Sequence, residues 1–218
     1  TVEMSMPNMY ADQIEWFGKH IAYRDAIIIS VHTHNDRGCA VAAAEMAVLA
    51  GAQRVEGTLL GNGERTGNMD IITMAMNCYS QGIDPQLDLA NIQTIAQQVS
   101  DLIQIDIHPR HPYIGDLVFT AFSGSHQDAI NKCIKNYRPG EPWEVAYLPI
   151  DPSDLGRSYK EVIRINSQSG KGGIAYIIEQ AMATEIPRWL QIEFSHRVQQ
   201  ETEKTAAEIQ PEELVALF

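Results

Sequence analysis

Residues 26–38 read Ala-Ile-Ile-Ile-Ser-Val-His-Thr-His-Asn-Asp-Arg-Gly, and this stretch decides the fold. The run Ala26 to Val31 is apolar and rich in β-branched residues, so it reads as a buried parallel strand. Side chains along a strand alternate with period two, so His32 and His34 leave the same face. Two imidazoles converging at the end of a strand suit a divalent metal. The same spacing also serves a hydrogen-bonded packing pair. Asn35-Asp36-Arg37-Gly38 favours the functional reading, because it puts polar groups at a strand-to-helix turn where helix amides point into a site.

The same alternation continues on both sides. Thr1 to Met6 and Arg54 to Leu60 are further strand candidates, and the spacing predicts helices over Ala11–Ile21, Ala40–Ala50 and Asp70–Tyr79. Gly51 stops the second helix, and Asp70 sits at the start of the third, where the helix dipole favours an acid. Strand–helix alternation at this interval means βαβ units and a parallel sheet. Three such units do not close an eight-stranded barrel, so the choice is a small open sheet or the last part of a barrel. Metal-type residues at strand ends favour the barrel, whose sites gather there. The expected class is therefore α/β: the C-terminal part of a (β/α)8 TIM barrel, followed by a mainly helical linker region. Beyond Tyr79 the pattern predicts a helix over Leu89–Gln104, a His- and Pro-bearing loop over Ile107–Asp116, and a helix over Ser125–Tyr137. A Pro-rich connector, Arg138–Pro152, reads as a linker. A strand over Glu161–Asn166, a glycine-rich turn over Ser167–Gly173 and two more helical stretches complete the chain. The expected divisions are residues 1–85 for the barrel units, 86–140 for a helical subdomain and 141–218 for a second linker subdomain.

Composition narrows the function. The net charge of −12 comes with no basic run, which argues against a nucleic-acid footprint. With 44% hydrophobic residues in 218, the chain can bury a core. No apolar run reaches the roughly twenty residues of a membrane span. Cys39, Cys78 and Cys133 are scattered with no CxxC, so a reducing, cytoplasmic compartment is expected and a disulfide framework is not. The opening Thr-Val-Glu-Met reads as the inside of a strand, without initiator Met or signal peptide, so a longer parent protein is expected.

Individual residues also carry plain readings. Asn68 precedes a helix and reads first as its N-cap. Gly61, Gly63 and Gly67 permit an irregular loop but match no P-loop or dinucleotide fingerprint. Glu64 and Arg65 read as a surface pair. His126 reads as an exposed or capping histidine at a helix start, and Tyr147 as an anchoring aromatic. His108 and His111 flank prolines at a spacing that fits no standard metal pattern. Lys171, in Ser167–Gly173, reads as part of a turn that could touch an anion.

Longer strings point further. They are His-Thr-His-Asn-Asp-Arg-Gly (32–38), Val-Glu-Gly-Thr-Leu-Leu-Gly-Asn-Gly-Glu-Arg-Thr-Gly-Asn (55–68), Phe-Thr-Ala-Phe-Ser-Gly-Ser-His-Gln-Asp-Ala-Ile (119–130), Tyr-Leu-Pro-Ile-Asp-Pro (147–152) and Asn-Ser-Gln-Ser-Gly-Lys-Gly-Gly (166–173). On these strings the chain resembles the 2-isopropylmalate synthases, a family of acyl-CoA-condensing barrel enzymes that stands beside the homocitrate and citramalate synthases. The resemblance implies condensation of acetyl-CoA with 2-oxoisovalerate in leucine biosynthesis. It implies a divalent metal (Mg, Mn or Zn) with K+ as an activator, and a homodimer. His32 and His34 would be metal ligands, with Asn68 at or near the metal, and Thr1 would lie beside the 2-oxo acid. His126 and Tyr147 would be catalytic groups of the linker region, which in the family reaches the partner subunit's active site. The first barrel strand with its aspartate ligand, a glutamate of the earlier half and a leucine-binding domain are features of the family that these residues do not include. Homocitrate or citramalate synthesis, and a dimerisation fragment without activity, are the competing readings at this point.

Overall fold

The computed structural model describes residues 2–121, 123–158, 171–205 and 209–218. The chain divides into two compact units, the first made of residues up to Asp88 with Thr94–Ile107, the second of Leu89–Gln93 with His108–Phe218.

In the first unit, helix α1 (Pro7–His20) starts with Pro7 inside its first turn, where the missing N–H costs nothing. Strands β1 (Ser30–His32) and β2 (Arg54–Glu56) pair in parallel, with Ser30 opposite Arg54, Val31 opposite Val55 and His32 opposite Glu56. Helix α2 (Ala40–Leu49) connects them, as a parallel pair requires. Helix α3 (Ile71–Ser80) follows, and α4 (Ile92–Ile103) is the last helix before the second unit takes over. Ile29, Val31, Ala47 and Ala52 form one core cluster, against which Tyr10 and Ile14 of α1 pack. Ala40, Ala44, Met69 and Met74 form a second, with the small alanines of α2 allowing close approach. Ile28 is 65% exposed while Ile29 and Val31 are buried, so the apolar run alternates and is not buried on both faces.

The strands are shorter than the sequence predicts. Thr1 lies outside the described residues, and Val2–Met6 forms no strand: the Glu3 amide donates to the Asp36 carboxylate (3.0 Å) rather than to a ladder. Arg24–Ala26 is a 3-10 turn, pinned by the Arg24 guanidinium on the carbonyls of Ile27 (3.1 Å) and Gly51 (2.9 Å). Leu59–Gly61 is another, where Leu60 takes a left-handed φ of 59° that ends the extended run. The predicted strand Glu161–Asn166 lies outside the described residues, and Lys171–Gly173 opens a helix instead of closing a turn.

The second unit is helical: α5 (Gly124–Asn136), α6 (Lys171–Met182), α7 (Arg188–Thr205) and α8 (Pro211–Leu217). Helix α6 carries the buried Ile174, Ala175 and Ile178. Buried partners come from Ile130 of α5, Phe194 and Val198 of α7, and Leu214 of α8. Phe194 and Phe218 meet edge to face at 4.9 Å. Arg138–Pro152 is not a free linker: Val145, Leu148 and Ile150 are buried, and the Trp143 indole N–H donates to the Leu148 carbonyl (2.8 Å). Among the described residues no helix is long and apolar enough to cross a membrane.

Candidate metal centre

The two histidines emerge from the C-terminal end of β1. Val31 and Thr33 point into the core, Thr33 donating its hydroxyl to the Ala40 carbonyl (2.8 Å), so His32 and His34 are left on the opposite face. Their ring centroids lie 5.1 Å apart with the planes tilted by 52°. A cavity of about 330 Å³ is lined by Glu3, Tyr10, His32, Thr33 and His34.

Asn68 reaches the same place through the backbone. The Asn35 amide donates to the Gly67 carbonyl (3.0 Å) and the Met69 amide to the Thr33 carbonyl (3.0 Å), which makes His34 and Asn68 an antiparallel bridge pair. The bonds flank the pair rather than joining it, the arrangement that brings the two side chains closest on one face. Gly67 has φ +93°, and an added Cβ would overlap the carbonyl of Gly61. A Cβ on Gly63 would fill the space of the Asn68 amide. Asn68 is not the cap of α3. That is Asp70, whose carboxylate accepts from the amides of Ile72 (3.2 Å) and Thr73 (3.1 Å). The Asn68 Nδ2 donates to the Asn62 carbonyl (3.2 Å), while Oδ1 is buried with no hydrogen-bond partner.

A buried acceptor without a donor is costly unless something electropositive meets it. Two imidazoles and an amide oxygen form a mixed nitrogen–oxygen donor set that a divalent cation fits. Among the described residues there is no cluster of three or more His, Cys, Asp or Glu arranged to hold a metal.

Asp36 ties the surroundings together. Arg65 Nε donates to it at 2.7 Å, and Arg65 Nη2 lies 3.3 Å from His34 Nδ1. Arg65 also forms the surface pair with Glu64 (3.6 Å) that the sequence predicts, and Asp36 is its additional, closer partner. Hydrogen bonds from Arg65 and from the Glu3 amide pull the Asp36 carboxyl down to about 2. Desolvation is the largest cause that holds the His34 imidazole below its ordinary value; the charges of His32 and Arg65 add to it, with Asp36 pulling the other way. A neutral imidazole is the form that binds metal. The Ser30 hydroxyl, ahead of Arg54, lowers Glu56.

Thr1 lies outside the described residues. In the second unit, His126 in the first turn of α5 and Tyr147 stack at 4.1 Å with planes 28° apart. Tyr147 is 61% exposed at φ 65°, so it presents its ring to solvent instead of anchoring the connector. His108 Nδ1 accepts from the Arg110 amide (3.1 Å), and His111 Nδ1 lies 3.1 Å from the Pro112 carbonyl, so both rings serve their own loop.

Comparison with known proteins fits this geometry. Residues 1–99 match the HMGL-like family model, and residues 116–179 match that of the alpha-isopropylmalate synthase, post-catalytic domain-like family. Over residues 1–99 the chain is similar to the HMGL-like family. Every residue aligns with proteins named 2-isopropylmalate synthase: 61% identical in Ralstonia pickettii (strain 12J), 60% in Pseudomonas syringae pv. tomato and 61% in Alcanivorax borkumensis. The chain spans 38% or 39% of the length of these relatives. The matched residues 1–99 hold β1, α2, β2 and α3, the part of the chain in which strands and helices alternate.

Two residues of this segment, Glu3 and Glu56, and one contact, the Asp36–Arg65 tether, were not singled out from the sequence. Glu3 Oε2 accepts the amides of Arg37 (2.5 Å) and Cys39 (3.4 Å), and this link depends on the fold rather than on any spacing. Glu56 was legible: Arg54 and Glu56 alternate with Val55, which places their side chains beside those of Ser30 and His32.

Proposed function

We propose that the protein containing this chain is a 2-isopropylmalate synthase. It joins acetyl-CoA to 2-oxoisovalerate and uses water to release CoA. The carbon–carbon bond forms between the acetyl methyl and the keto carbon; a methyl C–H bond and the thioester C–S bond break. The observation that carries the reading is the His34–Asn68 bridge beside His32, with the Asn68 Oδ1 buried and unpartnered.

In this reading His32, His34 and Asn68 would hold a divalent cation, which would supply Lewis-acid polarisation of the 2-oxo acid carbonyl. His32 and His34 offer neutral ring nitrogens, and Asn68 offers Oδ1. By the family resemblance Thr1 would lie beside the 2-oxo acid. His126 holds or releases a proton at a ring nitrogen, as a general acid–base histidine does. Tyr147 aligns the thioester oxygen through its Oη, and stacking on His126 keeps the two rings acting together. The relatives' name supports the substrate pair, and the lack of a basic run supports a small-molecule substrate over a nucleic acid. The protein works in the cytoplasm as a homodimer with K+ as an activator, in line with its scattered free thiols and with the linker role of His126 and Tyr147.

His32→Ala or His34→Ala in the full-length protein should abolish metal-dependent CoA release from acetyl-CoA plus 2-oxoisovalerate. Unchanged turnover contradicts the ligand assignment. Preference for 2-oxoglutarate or pyruvate over 2-oxoisovalerate would contradict the substrate.

A further inference from the structure

Beside His32, on the same face of the ladder, three side chains close a ring of hydrogen bonds. The Ser30 hydroxyl donates to Glu56 Oε1 (2.7 Å), Arg54 Nε donates to Ser30 Oγ (2.9 Å), and Arg54 Nη2 donates to Glu56 Oε1 (3.2 Å). The parallel register sets Ser30 opposite Arg54 and His32 opposite Glu56, so the four side chains share one face. The ring's two bonds to the carboxylate both end on Oε1. The second oxygen, Oε2, lies 3.8 Å from His32 Nδ1, within ion-pair distance.

Half-exposed ion pairs of this kind add little to stability. Glu56 and Arg54 side chains are 47% and 63% exposed, so holding the fold together does not account for so specific a ring. Its geometric effect is to fix one carboxylate oxygen opposite one ring nitrogen. A carboxylate attracts the N–H face of an imidazole and repels its lone pair. Such outer partners set which nitrogen of a metal-ligating histidine carries the proton.

We propose that Glu56 is a positioning residue for His32: with Oε1 held by Ser30 and Arg54, Oε2 keeps the His32 proton on Nδ1 and leaves Nε2 as the nitrogen free to take a cation. What Nε2 binds rests on the metal reading above; the position of the proton does not.

The test uses the full-length protein. In its metal-free form, with ring-15N-labelled histidine above the histidine titration range, the His32 signals are assigned by their loss in His32→Ala. The wild type is expected to show the Nδ1–H tautomer. Glu56→Ala should move His32 toward the Nε2–H form, and Glu56→Gln should do the same, because its amide oxygen takes the Ser30 and Arg54 donors and turns its NH2 toward Nδ1. An unchanged tautomer in Glu56→Ala overturns the proposal. In a second arm Mn2+ alone is titrated. Glu56→Ala should bind it about 10- to 100-fold more weakly, the usual loss for an outer-shell partner, with Glu56→Gln weakened in the same direction. If His32→Ala abolishes Mn2+ binding while Glu56→Ala leaves it unchanged, the positioning role is wrong. If His32→Ala itself binds Mn2+ as the wild type does, the metal reading fails, and the tautomer arm still decides the role of Glu56.

Discussion

Asp36 sits where three segments meet: it takes the Glu3 amide, the Arg65 guanidinium and, through its own chain, the turn that follows His34. Its carboxyl is held at about 2 against an ordinary 3.8. The sign follows from linkage. A carboxyl with a lowered folded-state pKa adds stability that is full above its unfolded value and is lost as pH falls through the folded one. Asp36 therefore supports the fold above pH about 4 and stops doing so between about 4 and 2. Asp36→Asn should flatten the acid limb of a urea-midpoint-against-pH curve in that window; an unchanged slope would show that the Arg65 contact contributes nothing. The sequence displays Asp36 and Arg65 inside conspicuous strings, yet neighbours in the chain suggested Glu64 as the partner of Arg65. That pair is present, but the closer contact with Asp36 needs the Gly61–Asn68 loop to fold back onto the end of β1, and no local spacing encodes that.

Among the elements, helices were easiest to read because their signals are local. The alanines of α2 and the stop at Gly51, with φ +107°, are propensity and capping written directly in the chain. Asp70 likewise marks the start of α3, though as its cap rather than as a charge on the dipole. Asp70→Ala leaves two amides without their acceptor and should cost about 1 kcal/mol in chemical denaturation. A loss below a few tenths would show that water replaces the cap. Strands were read too long, since their ends depend on which neighbour offers a ladder. Leu60 and Arg65 both take left-handed φ values (59° and 58°), which side chains other than glycine rarely signal in advance. The His34–Asn68 bridge was invisible for the same reason: each residue was conspicuous, but their adjacency comes from two backbone hydrogen bonds between separate loops.

At the scale of the molecule, the α/β character and the lack of a nucleic-acid footprint were legible from alternation and charge, both of which are averages over many residues. The packing of Arg138–Pro152 was not, because its prolines mask the burial of Val145, Leu148 and Ile150. The two units carry different candidate groups, a histidine–asparagine set in one and the stacked His126–Tyr147 rings in the other. If subunits of a dimer share these groups, mixing His126→Ala with His32→Ala subunits should restore part of the CoA-release activity that each lacks alone. No recovery in mixed dimers would mean that each subunit uses its own pair. The central claim is narrower: His32, His34 and Asn68 hold one divalent cation. The most direct measurement is anomalous diffraction from crystals of the full-length protein soaked in Mn2+. The account predicts a peak bonded, at about 2.0–2.4 Å, to one nitrogen of each imidazole and to the Asn68 side-chain oxygen. A peak bound elsewhere, with the three side chains apart from it, would contradict it.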